Sequence, residues 1–163
     1  MKSVMLFRHG EASMQFINTK DHDRPLTDNG INEARSMGAY ITLINKVPKL
    51  IISSTALRAK QTIKEAVNHA KWNSTLIFEK DIYGGQAPLL LRLLKKQDNK
   101  YNSVCLVGHE PNFSFFIMNS INKNIANFPT ASIGKVDFEV NSWAEIEFGF
   151  GILDFLKSPR NIL

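Results

Sequence analysis

Cysteine is nearly absent: the 163 residues contain one, Cys105, set inside an apolar run. A lone thiol closes no internal disulfide, so an oxidising compartment offers this chain nothing. Paired metal-ligand spacings are missing as well. Neither Cys-x-x-Cys nor His-x-x-His occurs, and the histidines are scattered as His9, His22, His69 and His109. A zinc site gathers its ligands at short spacing, so no metal and no cofactor are expected. No apolar stretch approaches the ~20 residues of a membrane span. The few apolar residues before Arg8 are too short for a signal peptide, and cytoplasm is the expected compartment. Lys and Arg exceed Asp and Glu by 20 to 15, a net charge of +5 that favours anionic ligands. These residues form no aromatic-plus-basic stripe of the nucleic-acid-binding kind. Repeats, linkers and low-complexity tracts are also lacking, so residues 1–163 are expected to form one domain, long enough to bury a sizeable core.

Short apolar runs alternate with segments of helical periodicity. Val4–Phe7, Leu50–Ile52, Thr75–Phe78 and Val104–Val107 read as strands. Ile31, Ala34, Met37, Gly38, Ile41 and Ile44 recur at helical spacing behind a cap at Thr27 or Asp28. A second helix follows Ser53-Ser54-Thr55, which offer caps, a third covers Leu89–Leu94, and a fourth begins near Pro111 with Phe113, Phe116, Ile117 and Ile121 as its buried face. From Ala131 the alternation over Ile133–Val140 and over Glu145–Phe148 predicts two antiparallel strands joined near Asn141-Ser142, with Phe155–Leu163 as surface loop. Strands alternating with helices predict a three-layer α/β/α sandwich around a mostly parallel, mixed sheet.

Chemistry concentrates at strand exits. Arg8-His9-Gly10 ends the first strand, Gly108-His109-Glu110 ends the fourth, and Arg58 opens the helix after the second. In open α/β sheets ligands bind beyond the carboxyl ends of the strands. Two guanidiniums suit the equatorial oxygens of a phosphoryl group. A neutral imidazole can attack phosphorus and split hydrolysis into two displacements, and nearby arginines favour that neutral form. These properties fit His9 as nucleophile, with His109 donating a hydrogen bond to the developing charge. Helix N-termini after Gly10, Ser53-Ser54 and Gly108 would add backbone donors. His22 and His69 lack this context and read as a loop residue and a helix C-terminal residue. Arg58 alone would read as a solvated helix residue.

Leu6-Phe7-Arg8-His9-Gly10-Glu11-Ala12, Arg24-Pro25-Leu26-Thr27-Asp28-Asn29-Gly30, Ile52-Ser53-Ser54-Thr55-Ala56-Leu57-Arg58-Ala59-Lys60-Gln61-Thr62, Val107-Gly108-His109-Glu110-Pro111 and Thr130-Ala131-Ser132-Ile133 together resemble the histidine phosphatase superfamily. The short chain and the spacing are most similar to its SixA-type phosphohistidine phosphatase branch. The resemblance implies the phosphoglycerate mutase-like fold, a covalent phosphohistidine intermediate at His9, and a phosphate pocket of Arg8, Arg58 and His109. It also brings Arg24 toward the anion, against the alternative of a solvated loop residue beside Asp21 and Asp23. Three departures stand out. Thr55 replaces a proline common among relatives. Phe16 stands where mutase-like relatives carry an asparagine. The segment Phe78–Gly85 is too short for the insert that supplies a general acid in ester phosphatases. Glu79, Asp81 and Glu11 remain candidate acids, with surface charge the simpler reading of the first two.

A missing acid bears on substrate. An alkoxide leaves with difficulty without a positioned proton donor, which is worth about 10²–10⁴-fold. A phosphorylated imidazole leaves easily once protonated from solvent. The expected function is hydrolysis of phosphohistidine on a phosphotransfer protein, by a monomer or weak dimer without nucleic-acid or membrane partners. A small-molecule phosphomonoester phosphatase and a non-catalytic phosphate-binding adaptor are the alternatives.

Overall fold

The structure, a computed structural model, describes residues 1–15 and 18–162. Within them β1 (Lys2–Arg8), β2 (Leu50–Ser53), β3 (Thr75–Phe78), β4 (Ser103–Gly108), β5 (Ile133–Phe138) and β6 (Gly151–Lys157) form one sheet in the order β3-β2-β4-β1-β5-β6. Strands β3, β2, β4 and β1 run parallel, while β5 is antiparallel to β1 and to β6. The helices are α1 (Asp28–Leu43), α2 (Leu57–Ala70), α3 (Ala87–Lys95) and α4 (Asn112–Ile121). The mostly parallel mixed sheet between helical layers is therefore present as the sequence predicts.

Alternation within the buried strands divides the core into two halves. Val4, Leu6, Ile52, Val104 and Leu106 face α3 and α4, packing with Leu90, Leu94, Phe113 and Phe116. Met5, Phe7, Ile51, Cys105 and Val107 face α1 and α2, packing with Met37, Ile41, Ile63 and Ala66. Thr27 caps α1, its Oγ1 accepting from the Gly30 N–H at 3.0 Å. α1 and α2 approach closely at Gly38, where a Cβ would lie 2.8 Å from the Ala66 carbonyl oxygen.

The C-terminal third departs from expectation. Glu145–Phe148 is not a strand. Trp143–Glu145 forms a 3-10 turn capped by Ser142, anchored by the fully buried Trp143, whose indole N–H donates to the Tyr101 carbonyl at 2.8 Å. The alternation there marks one anchored turn with Ile146 tucked inward, not a pleat. The partner of β5 is Gly151–Lys157, so Phe155–Lys157 belongs to a strand and not to the expected surface loop. As an edge strand it alternates only between partial and full exposure, which blunts its hydrophobic signal. Leu163 lies outside the described residues.

Candidate active site

β4 lies between β2 and β1, so the residues leaving these three parallel strands become neighbours. The His9 N–H donates to the Gly108 carbonyl at 3.0 Å, and the Ser54 N–H to the Val107 carbonyl at 2.8 Å. The rings of His9 and His109 come together with centroids 5.3 Å apart. The far side of β1 is fastened too: Arg8 N–H donates to the Ser132 carbonyl at 3.0 Å and Ala131 N–H to the His9 carbonyl at 2.9 Å. Ala131 takes a φ of 58° to do so, a conformation uncommon for a residue with a Cβ.

Gly10 is required by the fold as much as by any ligand. A Cβ there would stand 2.7 Å from the Gly30 carbonyl oxygen, and one at Gly30 would stand 2.2 Å from the Glu11 carbonyl oxygen. The loop after His9 thus lies directly on the start of α1. Among the described residues no helix begins directly after Gly10, contrary to expectation; its N–H donates instead to Thr62 Oγ1 on α2 at 2.9 Å.

The two imidazoles are held in opposite ways. His9 Nδ1 lies 2.7 Å from the Gly10 carbonyl oxygen. A carbonyl only accepts, so Nδ1 carries the proton and Nε2 keeps its lone pair. His109 Nε2 lies 2.8 Å from Ser54 Oγ, which already accepts from the Ala56 N–H at 3.1 Å. The Ser54 hydroxyl proton finds its acceptor in His109 Nε2, and with that assignment the ring proton sits on Nδ1, a buried atom without a hydrogen bond among the described residues. Burial foremost, and then Arg58, Arg8 and Arg24, press the His9 pKa down to about 4, against the Gly10 hydrogen bond. Burial, with His9 and Arg58, presses His109 down to about 3. Both rings are neutral at ordinary pH.

Arg58 is buried, not solvated, because it shares the inward stripe of α2 with Ala59, Thr62, Ile63 and Ala66. Its Nε lies 3.4 Å from His9 Nε2. The cap expected for α2 is not made by Ser53–Thr55 side chains in the usual way: Ala56 occupies the N-cap without a side-chain bond, and Ser54 serves His109 while Thr55 Oγ1 lies 2.9 Å from His22 Nε2. Arg8 donates through Nη1 to the Phe128 carbonyl at 2.9 Å; its buried Nε makes no hydrogen bond among the described residues. Arg24 sits at the rim, donating from Nε to the Ser13 carbonyl at 3.0 Å and from Nη1 to Asp21 Oδ1 at 2.8 Å.

Three participants escape sequence reasoning. Asp21 accepts from Arg58 through its carboxylate and backbone carbonyl, from Arg24, and from the Tyr83 hydroxyl. Tyr83 sets its ring edge-on to His109 at 5.4 Å and to His22 at 4.9 Å. His22, read as a plain loop residue, stands in the 3-10 turn Asp21–Asp23 beside Asp21. The one available signal is an aspartate three residues before Arg24. The candidate acids lie elsewhere in the bonding pattern: Glu79 caps the Lys80–Ile82 turn, Asp81 is exposed, and Glu11 accepts from Thr27 and Asn29. His69 ends α2 as expected, Phe16 lies outside the described residues, and Cys105 is fully buried with its thiol pKa raised by burial. Among the described residues no helix is long and apolar enough to cross a membrane.

Two buried neutral imidazoles, their ring centroids 5.3 Å apart, with the Arg58 guanidinium 3.4 Å from one of them, are groups suited to a tetrahedral oxyanion. The model of the histidine phosphatase superfamily (branch 1) matches residues 4–82. An uncharacterized protein of Mycobacterium tuberculosis is 27% identical over 150 residues, 86% of this chain and 92% of its own. The phosphohistidine phosphatase SixA of Escherichia coli is 25% identical over 162 residues, 98% of this chain and 95% of its own. Among solved structures, a protein histidine phosphatase SixA complexed with tungstate superposes with a TM-score of 0.85 at 24% identity, covering 99% of each chain. A phosphoserine phosphatase of Entamoeba histolytica superposes at 0.66 and 19% identity over the whole of both chains. Sheet order and these likenesses converge on one fold, that of the SixA-type histidine phosphatases, and residues 4–82 match the superfamily's model.

Proposed function

We propose that this protein is a phosphatase, a single histidine phosphatase domain that removes phosphate from phosphohistidine on a phosphotransfer protein without a cofactor. One observation carries the reading: His9 Nε2 keeps its lone pair, because the Gly10 carbonyl holds the ring proton on Nδ1 at 2.7 Å. That nitrogen attacks phosphorus in line while the bond to the substrate imidazole breaks. The departing nitrogen takes a proton from solvent. Water then attacks the phosphoryl group on His9 and releases inorganic phosphate, restoring the imidazole. Arg8 and Arg58 neutralise the equatorial oxygens, and His109 Nδ1–H donates to one of them. Arg24 stands by at the rim as a secondary contact.

The substrate follows from what surrounds the leaving group. Glu11 and Glu79 are committed to local hydrogen bonds and Asp81 is exposed, so an alkoxide finds no evident proton donor, whereas a protonated imidazole needs none. The relatives named phosphohistidine phosphatase support the same class. The test is a phosphohistidine-bearing protein labelled with radioactive phosphate. Wild type should release the label and, on rapid quenching, carry it transiently in acid-labile form; His9→Ala should do neither. Equal turnover of sugar phosphates and the phosphoprotein would defeat the substrate assignment, and label release by His9→Ala would defeat the intermediate.

A further inference from the structure

Arg58 presents three nitrogens, and Asp21 takes two of them. Nη1 donates to the Asp21 backbone carbonyl at 2.7 Å and Nη2 to Asp21 Oδ2 at 3.0 Å. The nitrogen left over, Nε, is the one that faces His9 Nε2 at 3.4 Å. The grip is itself braced. Asp21 Oδ2 also accepts from the Tyr83 hydroxyl at 2.7 Å, and Oδ1 from Arg24 Nη1 at 2.8 Å. We infer that Asp21 is the positioning residue of the site, holding the Arg58 guanidinium by its two terminal nitrogens so that its Nε–H meets the phosphoryl group beside His9. The inference rests on the reading of this site as a phosphoryl-transfer centre.

Two physical arguments support it. Arg58 is 7% exposed, and a guanidinium buried to that degree needs a partner for its donors and to fix its orientation. Without Asp21 its terminal nitrogens would turn toward the phosphoryl oxygens by whatever rotamer the pocket allows. The charges also match. Three guanidiniums, from Arg8, Arg24 and Arg58, outnumber the two carboxylates coupled to them, Asp21 and Glu110, leaving the net positive charge that a phosphoryl group calls for. The same bonds exclude a rival role for Asp21 as proton donor. The Tyr83 hydroxyl foremost, with Arg24 and Arg58, holds its carboxyl far below the ordinary carboxylate range, so at neutral pH it has no proton to give.

A double-mutant cycle separates positioning from any independent role. Turnover of p-nitrophenyl phosphate and affinity for tungstate are measured for wild type, Asp21→Ala, Arg58→Ala and the double variant. Asp21→Ala should lower kcat/KM about 10- to 100-fold, the scale of a catalytic group displaced by an ångström, and should weaken tungstate binding in parallel. In the Arg58→Ala background the same change should cost less than threefold. Tyr83→Phe, a mild change at an exposed ring, should cost a few-fold in wild type and nothing beyond Asp21→Ala, which preserves the test if Asp21→Ala folds poorly. Asp98→Asn, whose carboxylate meets Lys100 ahead of β4, should stay within twofold of wild type. A full loss from Asp21→Ala in both backgrounds overturns the inference and leaves the phosphatase reading intact. A wild-type protein that neither binds tungstate nor turns over the ester overturns both.

Discussion

Acid should unfold this protein through two residues that the site requires to be neutral. His9 and His109 have pKa values pressed to about 4 and about 3 in the folded chain, against about 6.5 when unfolded. Between those limits the unfolded chain binds more protons than the folded one, so stability rises with pH; it is fully present above pH ~6.5 and is lost as pH falls toward 4. Moving from about pH 7.5 to about pH 5 costs about 2 kcal/mol per residue and roughly 4 kcal/mol for the pair. Even a folded pKa near 5 would leave about 1.5 kcal/mol each. With a urea m-value of about 2 kcal/mol per molar, the unfolding midpoint should fall by about 2 M between the two conditions. Urea titrations followed by circular dichroism measure it. The variants His9→Gln and His109→Gln should each remove about half of the fall, and the double variant should nearly abolish it. Midpoints that match at the two pH values would show that the imidazoles are not held neutral by burial. A fall of full size surviving in the double variant would assign it to other groups.

Arg58→Ala should reduce turnover at least 100-fold, on the scale of losing one transition-state donor, while the far-ultraviolet spectrum stays that of wild type; a collapsed spectrum would make Arg58 structural. Gly30→Ala places a Cβ 2.2 Å from the Glu11 carbonyl oxygen, so relief by about 1 Å of backbone shift should cost about 1–3 kcal/mol in urea and lower kcat/KM, because the displaced loop is the one that follows His9. An unchanged midpoint would mean that loop yields freely. Cys105→Ser puts a hydroxyl into the sealed face of β4 and should cost about 1–3 kcal/mol with turnover unchanged; thiol-reagent inhibition that disappears in this variant would contradict a buried, inert thiol.

The main frame was legible because it rests on local chemistry. Four apolar runs read as strands, three of them buried and Thr75–Phe78 exposed at the sheet edge, Thr27 is a strong cap, and Arg8-His9-Gly10 and Gly108-His109 each stand where a parallel strand delivers residues to a common edge. That edge needed no knowledge of chain-distant contacts beyond the parallel order. The failures share a cause: each depended on tertiary contacts that leave no periodic mark. Trp143 folds its segment into a turn by burying an indole, which overrode the alternation across Glu145–Phe148. Strand β6 lies at the sheet edge and carries too weak a pattern to announce itself. Asp21 and Tyr83 are 62 residues apart, exposed in part, and of types that abound on surfaces; only the folded arrangement joins them to Arg58.

The two site histidines show how partner type, and not ring chemistry, can divide labour between identical side chains. His9 Nδ1 meets a backbone carbonyl, a pure acceptor, which fixes a proton there and exposes a lone pair at Nε2. His109 Nε2 meets the Ser54 hydroxyl, which can donate to it while its oxygen accepts from the Ala56 N–H, and that pairing puts the ring N–H at Nδ1. On the proposed reading one ring attacks and the other stabilises, with no charge on either before substrate arrives. Arg8 Nε and His109 Nδ1 are buried and without a hydrogen bond among the described residues, as is Ser132 Oγ beside the Arg8 backbone. On the same reading a bound phosphoryl group would supply the acceptors that the surrounding side chains do not, so its binding would draw on donors the fold leaves uncommitted.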